Sequence, residues 1–197
     1  MTVWTAGCAK DVPAQELRRQ IMDNSREHLS RVLISAEDIR KKIQETGAMI
    51  SEKYAGKPLL IVCVLTGSFI FTADLCRTLS IPCEIDFMSV KSYSGDGSTG
   101  QVGIVLDLKK DISSYHVIIV EDIVDTGLTM KCVSSMLMER NPLSLSVVTL
   151  LDKPDRRKTD FTPDISLFRI PDVFVVGYGM DYDEHFRELP YVAEYRP

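Results

Sequence analysis

Glu121 and Asp122, followed by Ile123-Val124 and then Asp125-Thr126-Gly127-Leu128-Thr129, join two adjacent acids to a small polar turn. Where such a turn opens a helix, its backbone N–H groups can surround a phosphate. Bare carboxylates beside that cradle would repel the anion, so the combination points to a substrate carrying a divalent cation such as magnesium. Val117 to Val120, just before the acids, is a β-branched apolar run, the pattern of a strand covered on both faces of a parallel sheet. Ligands bind at the carboxyl ends of such strands. Taken alone, Asp125 to Thr129 also suits an ordinary helix start, because Asp and Thr cap helices and Gly turns the chain. The acid pair in the same run is what sets this segment apart.

Four more segments carry side chains of chemical interest. Leu65-Thr66-Gly67-Ser68 ends an apolar strand in a short turn before a helix and offers further amide donors. Lys91 to Gln101 is small, polar and Gly-rich, which fits either an exposed hairpin loop or a mobile cover. Lys153 follows the apolar strand LSVVTLL, where a lysine either faces solvent or reads a ligand. Val173 to Asp183 joins a β-like run to an acidic turn; Phe174 within it suits a core as well as a site, and Arg187 suits a surface position as well as an oxyanion contact.

The run 116–129, HVIIVEDIVDTGLT, resembles the phosphoribosyl-pyrophosphate binding motif of the type I phosphoribosyltransferases: two acids in an apolar stretch, then Asp-Thr-Gly-x-Thr. From about Leu33 to the C-terminus the chain is similar, segment by segment and in order, to the hypoxanthine-guanine branch of that family; residues 1–32 lie outside the resemblance. It implies an α/β fold with a mostly parallel sheet, flanking helices and a small hood region. The implied reaction is transfer of 5-phosphoribosyl from phosphoribosyl pyrophosphate to N9 of a 6-oxopurine, in purine salvage, with magnesium as cofactor. A homodimer or homotetramer is implied as well.

Residue by residue, the resemblance gives Glu121 and Asp122 the ribose and its metal, and gives the amides of Asp125, Thr126, Gly127, Leu128 and Thr129 the 5′-phosphate. Asp125 is the implied catalytic residue, beside the purine N7. Thr66, Gly67 and Arg187 correspond to pyrophosphate contacts, and Ser92 and Tyr93 to a lid over the reacting centre. Lys153 corresponds to the donor to the purine's exocyclic oxygen, Phe174 to the stacking ring, Val175 to a backbone reader of the base edge and Met180 to a pocket wall. Asp181 corresponds to a further base-side residue and outer metal ligand. The chain departs from the family at Thr66 and Leu128, where lysine is frequent. Regulators that sense nucleotides or the sugar pyrophosphate share this fold, so a sensor is the alternative; the set Asp125, Lys153, Phe174 and Arg187 exceeds what a sensor requires.

These residues need elements to hold them. Leu17, Ile21, Leu29 and Val32 suggest an amphipathic first helix within an N-terminal extension over 1–32. Ser35 with Asp38 forms a capping-box pattern, and Ile39, Ile43, Ile50 and Tyr54 continue at helical spacing to Gly56-Lys57-Pro58. Strands are expected at 59–65, 83–90, 102–106, 116–121 and 145–151, with helices at 69–79 and 128–140. Their alternation implies a mostly parallel sheet with right-handed crossovers.

The 197 residues, 45% hydrophobic and 26% charged, suffice for one well-buried domain spanning 33–197, with a mobile lid near 91–103. A net charge of −5 argues against nucleic-acid partners. The compact basic stretch within Lys153 to Lys158 suits a solvated loop. Five cysteines without C-x-x-C spacing suggest reduced thiols, and the absence of a long apolar run suggests no membrane partner and a cytoplasmic protein.

Overall fold

The computed structural model describes residues 27–92 and 102–196. Its main sheet has six strands in the order β4-β3-β2-β5-β6-β7. Here β2 is Leu59–Leu65, β3 Glu84–Ser92, β4 Val102–Leu106, β5 His116–Val124, β6 Ser144–Asp152 and β7 Ile165–Arg169. All neighbours run parallel except β3 and β4. Central β2 and the Val117–Val120 stretch of β5 are apolar without interruption because both faces are covered. On one face Ile61, Ile118, Val120 and Val148 meet Ile39, Ile43 and Ile50 of α1 (Ala36–Lys53) and Phe71 and Leu75 of α2 (Phe69–Thr78). On the other, Leu60, Val62, Val117 and Ile119 meet Met130, Val133 and Leu137 of α3 (Leu128–Met138).

A second sheet, β1-β9-β8, is antiparallel and forms the small hood, from β1 (Leu29–Ile34), β9 (Val192–Tyr195) and β8 (Val175–Val176). The α/β architecture and the elements expected from 59 to 152 agree with this, most boundaries shifting by one to three residues. Ser35 caps α1 as expected, accepting from the Asp38 amide at 3.1 Å, but Asp38 returns its carboxylate to the Ser35 hydroxyl at 2.6 Å instead of to the backbone.

The amphipathic first helix is corrected at its C-terminal half. Leu29 and Val32 belong to β1 and pair with Tyr195 and Ala193. That strand exists because a partner arrives from the other end of the chain, a tertiary contact that local periodicity does not encode. Leu17 and Ile21 lie outside the described residues. So do Tyr93 and the rest of the Gly-rich stretch to residue 101; Ser92 ends β3. No helix of the described residues is long and apolar enough to cross a membrane. Cys63, Cys76, Cys83 and Cys132 are all free thiols.

Candidate functional site

At the carboxyl edge of the sheet, the strand carrying the acids runs further than expected, to Val124, so Glu121 and Asp122 are held within β5 with Glu121 opposite Thr149 of β6. One oxygen of Glu121, Oε2, is buried without a hydrogen-bond partner. Burial, reinforced by the Asp122 charge, pushes the Glu121 carboxyl well above the usual carboxylate range. Burial likewise pushes Asp122 up to about 6, opposed by backbone donors and the Arg187 charge. Two acids held this way call for positive charge or hydroxyl donors from outside the protein. Among the described residues no three His, Cys, Asp or Glu side chains converge on one ion position. A cation here would therefore be held by one or two carboxylates together with ligand oxygens and water, the arrangement magnesium favours.

Two turns flank the acids. Gly127, at φ 80°, is the N-cap of α3 and supplies no side-chain cap. The first-turn amides of α3 are thus left for an outside acceptor, apart from a long 3.4 Å contact from the Leu128 amide to Thr126 Oγ1. The second turn, Thr66 to Ser68, starts with a cis peptide bond between Leu65 and Thr66 and leads into α2. Ser68 donates its hydroxyl back to the Val64 carbonyl at 2.7 Å rather than capping α2. A Cβ on Gly67 would lie 1.6 Å from Asp122 Oδ2, so the missing side chain is what lets this turn close over the acid.

Beside the acids opens a cavity of about 430 Å³ lined by Asp122, Asp125, Lys153, Phe174, Val175, Met180 and Asp181, with Ile123, Arg156 and Asp172. Its size suits a small heterocycle with attached groups. Lys153, at the end of β6, is only 6% exposed, and burial lowers its pKa against the raising effect of Asp125 and Asp172. Phe174 is not a core ring: it is 50% exposed, with Tyr182 edge-on at 5.9 Å. The structure thus brings the expected base-side residues into one wall.

Arg187 is largely shielded, bonding the Gly179 carbonyl at 2.8 Å and pairing with Asp181 at 2.9 Å, so Asp181 is engaged by a cation of the protein itself.

The basic stretch is corrected in part: Pro154, Asp155, Arg156 and Lys158 are exposed as in a solvated loop, but Lys153 is buried and Arg157 half-buried. Its residues 154–156 form a single 3₁₀ turn that folds Arg156 and Arg157 back over the site. Arg157 donates to the Asp125 carbonyl at 2.7 Å and pairs with Asp152. Arg156 Nε stands 2.8 Å from Asp125 Oδ1 without directing its N–H at it, and bonds Asp172 at 3.0 Å. The sequence marks Arg156 and Arg157 only as part of a basic stretch and gives no signal for Asp172; the short spacing after Lys153 is the one hint that the arginines belong to the site.

The family model for the phosphoribosyl transferase domain matches residues 33–183. Among curated proteins, a hypoxanthine-guanine phosphoribosyltransferase of Staphylococcus aureus is 46% identical over 170 residues, 86% of this chain and 95% of that protein. Among solved structures, a hypoxanthine phosphoribosyltransferase from Staphylococcus aureus superposes with a TM-score of 0.84 at 45% identity, covering 90% of this chain and 95% of that one. The Trypanosoma cruzi hypoxanthine phosphoribosyltransferase in complex with the product IMP gives a TM-score of 0.82 at 42% identity, covering 87% and 96%. With the two turns, the acid pair and the cavity arranged as they are, this chain belongs to the phosphoribosyltransferase family.

Proposed function

We propose that the protein is a purine salvage enzyme that transfers 5-phosphoribosyl from phosphoribosyl pyrophosphate to N9 of hypoxanthine or guanine, giving the nucleoside monophosphate and pyrophosphate. The observation that carries this reading is the joining of a base-sized cavity, floored by a buried lysine, to an uncapped helix start across a pair of partly buried acids.

The chain's own residues divide the work. Amides of residues 125–129 bind the 5′-phosphate at the start of α3. Glu121 and Asp122 orient the ribose hydroxyls, and together with substrate oxygens they would hold magnesium, with Asp181 as an outer ligand. When bound, the ion supplies positive charge that neutralises the leaving pyrophosphate. Thr66, Gly67 and Arg187 hold that leaving group; the planar guanidinium fork matches two of its oxygens at once. Lys153 donates to the 6-oxo group; an ammonium has no acceptor for a 6-amino group, which selects against adenine. Phe174 stacks on the ring, Met180 closes the pocket and the Val175 backbone reads the edge. As the C1′–O bond breaks and N9 attacks C1′, Asp125 accepts the N7 proton. Ser92 and Tyr93 are assigned to the cover that keeps water from the developing cation.

The reading extends to a homo-oligomer, supported by the exposed apolar side chains Ile85, Phe87, Ile104, Val105 and Leu106 on neighbouring strands β3 and β4. A cytoplasmic location is supported by the free thiols. The test is pyrophosphate release from phosphoribosyl pyrophosphate and magnesium with each purine base in turn. Turnover with hypoxanthine and guanine but not adenine is expected; no release with any base overturns the reading.

A further inference from the structure

Tyr178 stands in the left-handed region at φ 52°, between Gly177 at 100° and Gly179 at 103°. A bulky side chain is rare there, so surrounding contacts must hold it. The turn 177–180 is closed by reciprocal backbone bonds between Gly177 and Met180, at 3.0 and 3.2 Å. The amides of Tyr178 and Gly179 bond the carbonyls of Leu189 and Arg187 at 2.8 and 3.0 Å. The tyrosine side chain is buried, and its Oη donates to Asp74 Oδ2 at 2.6 Å. Asp74 is in the second turn of α2, the helix that begins at the Thr66–Ser68 turn.

The same four residues touch both halves of the site. A Cβ on Gly179 would lie 2.0 Å from the Gly67 carbonyl oxygen, so the two turns are in close backbone contact. The Gly179 carbonyl receives Arg187, and Met180 lines the base cavity. Behind Tyr178 and Asp74 lies a second cavity of about 310 Å³, with Ile39, Ile43 and Pro190 among its walls. Close packing is therefore incomplete on that side, and the phenol–carboxylate bond is a direct polar tie between the 177–180 turn and α2, beside the apolar cluster that Tyr178 and Met180 share with Phe71 and Leu75. Burial, with the Asp74 bond added, holds the phenol pKa above its ordinary value, so it remains a donor at physiological pH.

Building on the proposed transfer reaction, we infer that Tyr178 and Asp74 are a positioning pair that fixes the base wall at Met180–Asp181 against the pyrophosphate turn at Thr66–Gly67. The attacking base and the leaving group approach C1′ from opposite sides, so their separation must be set by the protein. A displacement of about 1 Å in such a geometry is enough to slow the chemical step by up to about a hundredfold. Loss of one hydrogen bond to a charged group allows a smaller displacement, and a fall of about tenfold in kcat is expected.

The experiment compares wild type, Tyr178→Phe, Asp74→Ala, Asp74→Asn and the double variant Tyr178→Phe/Asp74→Ala, each with hypoxanthine and phosphoribosyl pyrophosphate. Unfolding curves identify the temperature range in which each protein is fully folded, and rates are compared there. Tyr178→Phe and Asp74→Ala should lower kcat about tenfold with both KM values within about twofold. Asp74→Asn, whose carbonyl oxygen still accepts the hydrogen bond from the phenol, should stay near wild type, and the double variant should lose no more than the worse single one. Unchanged kcat in the single variants, multiplying losses in the double variant, or Asp74→Asn as damaged as Asp74→Ala overturns the pairing. Should Tyr178→Phe not fold, the Asp74 variants decide, since Asp74 is partly solvent-exposed. An inactive wild type overturns the transfer reading and this inference together; an active wild type with indifferent variants overturns the inference alone.

Discussion

Asp122→Asn should make the ligand-free protein more stable at neutral pH while removing it from catalysis. The folded chain holds Asp122 at about 6 against an ordinary 3.8, chiefly through burial. The folded state therefore binds this proton more tightly than the unfolded chain does. Stability from the protonated acid is fully present below about pH 4 and is lost as the pH rises through about 6. The rise corresponds to about 3 kcal/mol, at about 1.36 kcal/mol per pH unit. Glu121 acts in the same direction. An asparagine keeps an acceptor for the Ile123 amide, which Asp122 Oδ1 now takes at 2.7 Å, and removes the charge. Thermal unfolding without divalent cation should show Asp122→Asn more stable at pH 7.5 by up to about 3 kcal/mol. For a chain of this length that is a Tm gain of up to roughly 6–12 °C. At pH 4 the two curves should converge. Equal Tm at pH 7.5, or a gain of the same size at pH 4, would refute the argument that the acid pair is held against its own charge.

Asp125→Asn should lower kcat by about 10²–10⁴-fold, the usual contribution of a positioned proton acceptor, with phosphoribosyl pyrophosphate still bound in calorimetry; an unchanged kcat removes Asp125 from the proton role. In Lys153→Gln the preference for 6-oxopurines over adenine should erode, because the amide both donates and accepts; kcat/KM ratios for hypoxanthine and adenine identical to wild type would show that another group reads the oxygen. Gly127→Ala should cost about 1–2 kcal/mol in unfolding free energy and raise KM for phosphoribosyl pyrophosphate. The residue sits at φ 80°, and its new Cβ would meet Thr159 Oγ1 at 2.6 Å and Arg157 Cδ at 2.8 Å; a variant with unaltered stability would contradict that steric reading.

The central strands were legible because burial on both faces leaves an uninterrupted apolar run, as in Leu59 to Val64 and Val117 to Val120, whereas the edge strand β7, Ile165–Arg169, has no such run and was not expected. The turn at 125–129 was legible because its geometry depends on a glycine and small polar residues in a fixed order. The hood was not. β8 is two residues long, and β1 and β9 exist by pairing with each other across most of the chain. Arg156 and Arg157 look like surface charge in sequence because nothing local reveals that a 3₁₀ turn returns them to Asp125 and Asp152. Tyr178 reads as one more aromatic in a β-like run; its contact with Asp74 joins positions 104 residues apart.

The central claim is that one crevice grips the sugar phosphate at the start of α3 and the purine against Lys153 and Phe174. A crystal structure with inosine monophosphate bound tests it most directly. The account predicts phosphate oxygens within hydrogen-bonding distance of the amides of residues 125–129, O6 beside Lys153 Nζ and the ring stacked on Phe174. Nucleotide bound elsewhere, or in this crevice with its base turned away from Lys153, would contradict it.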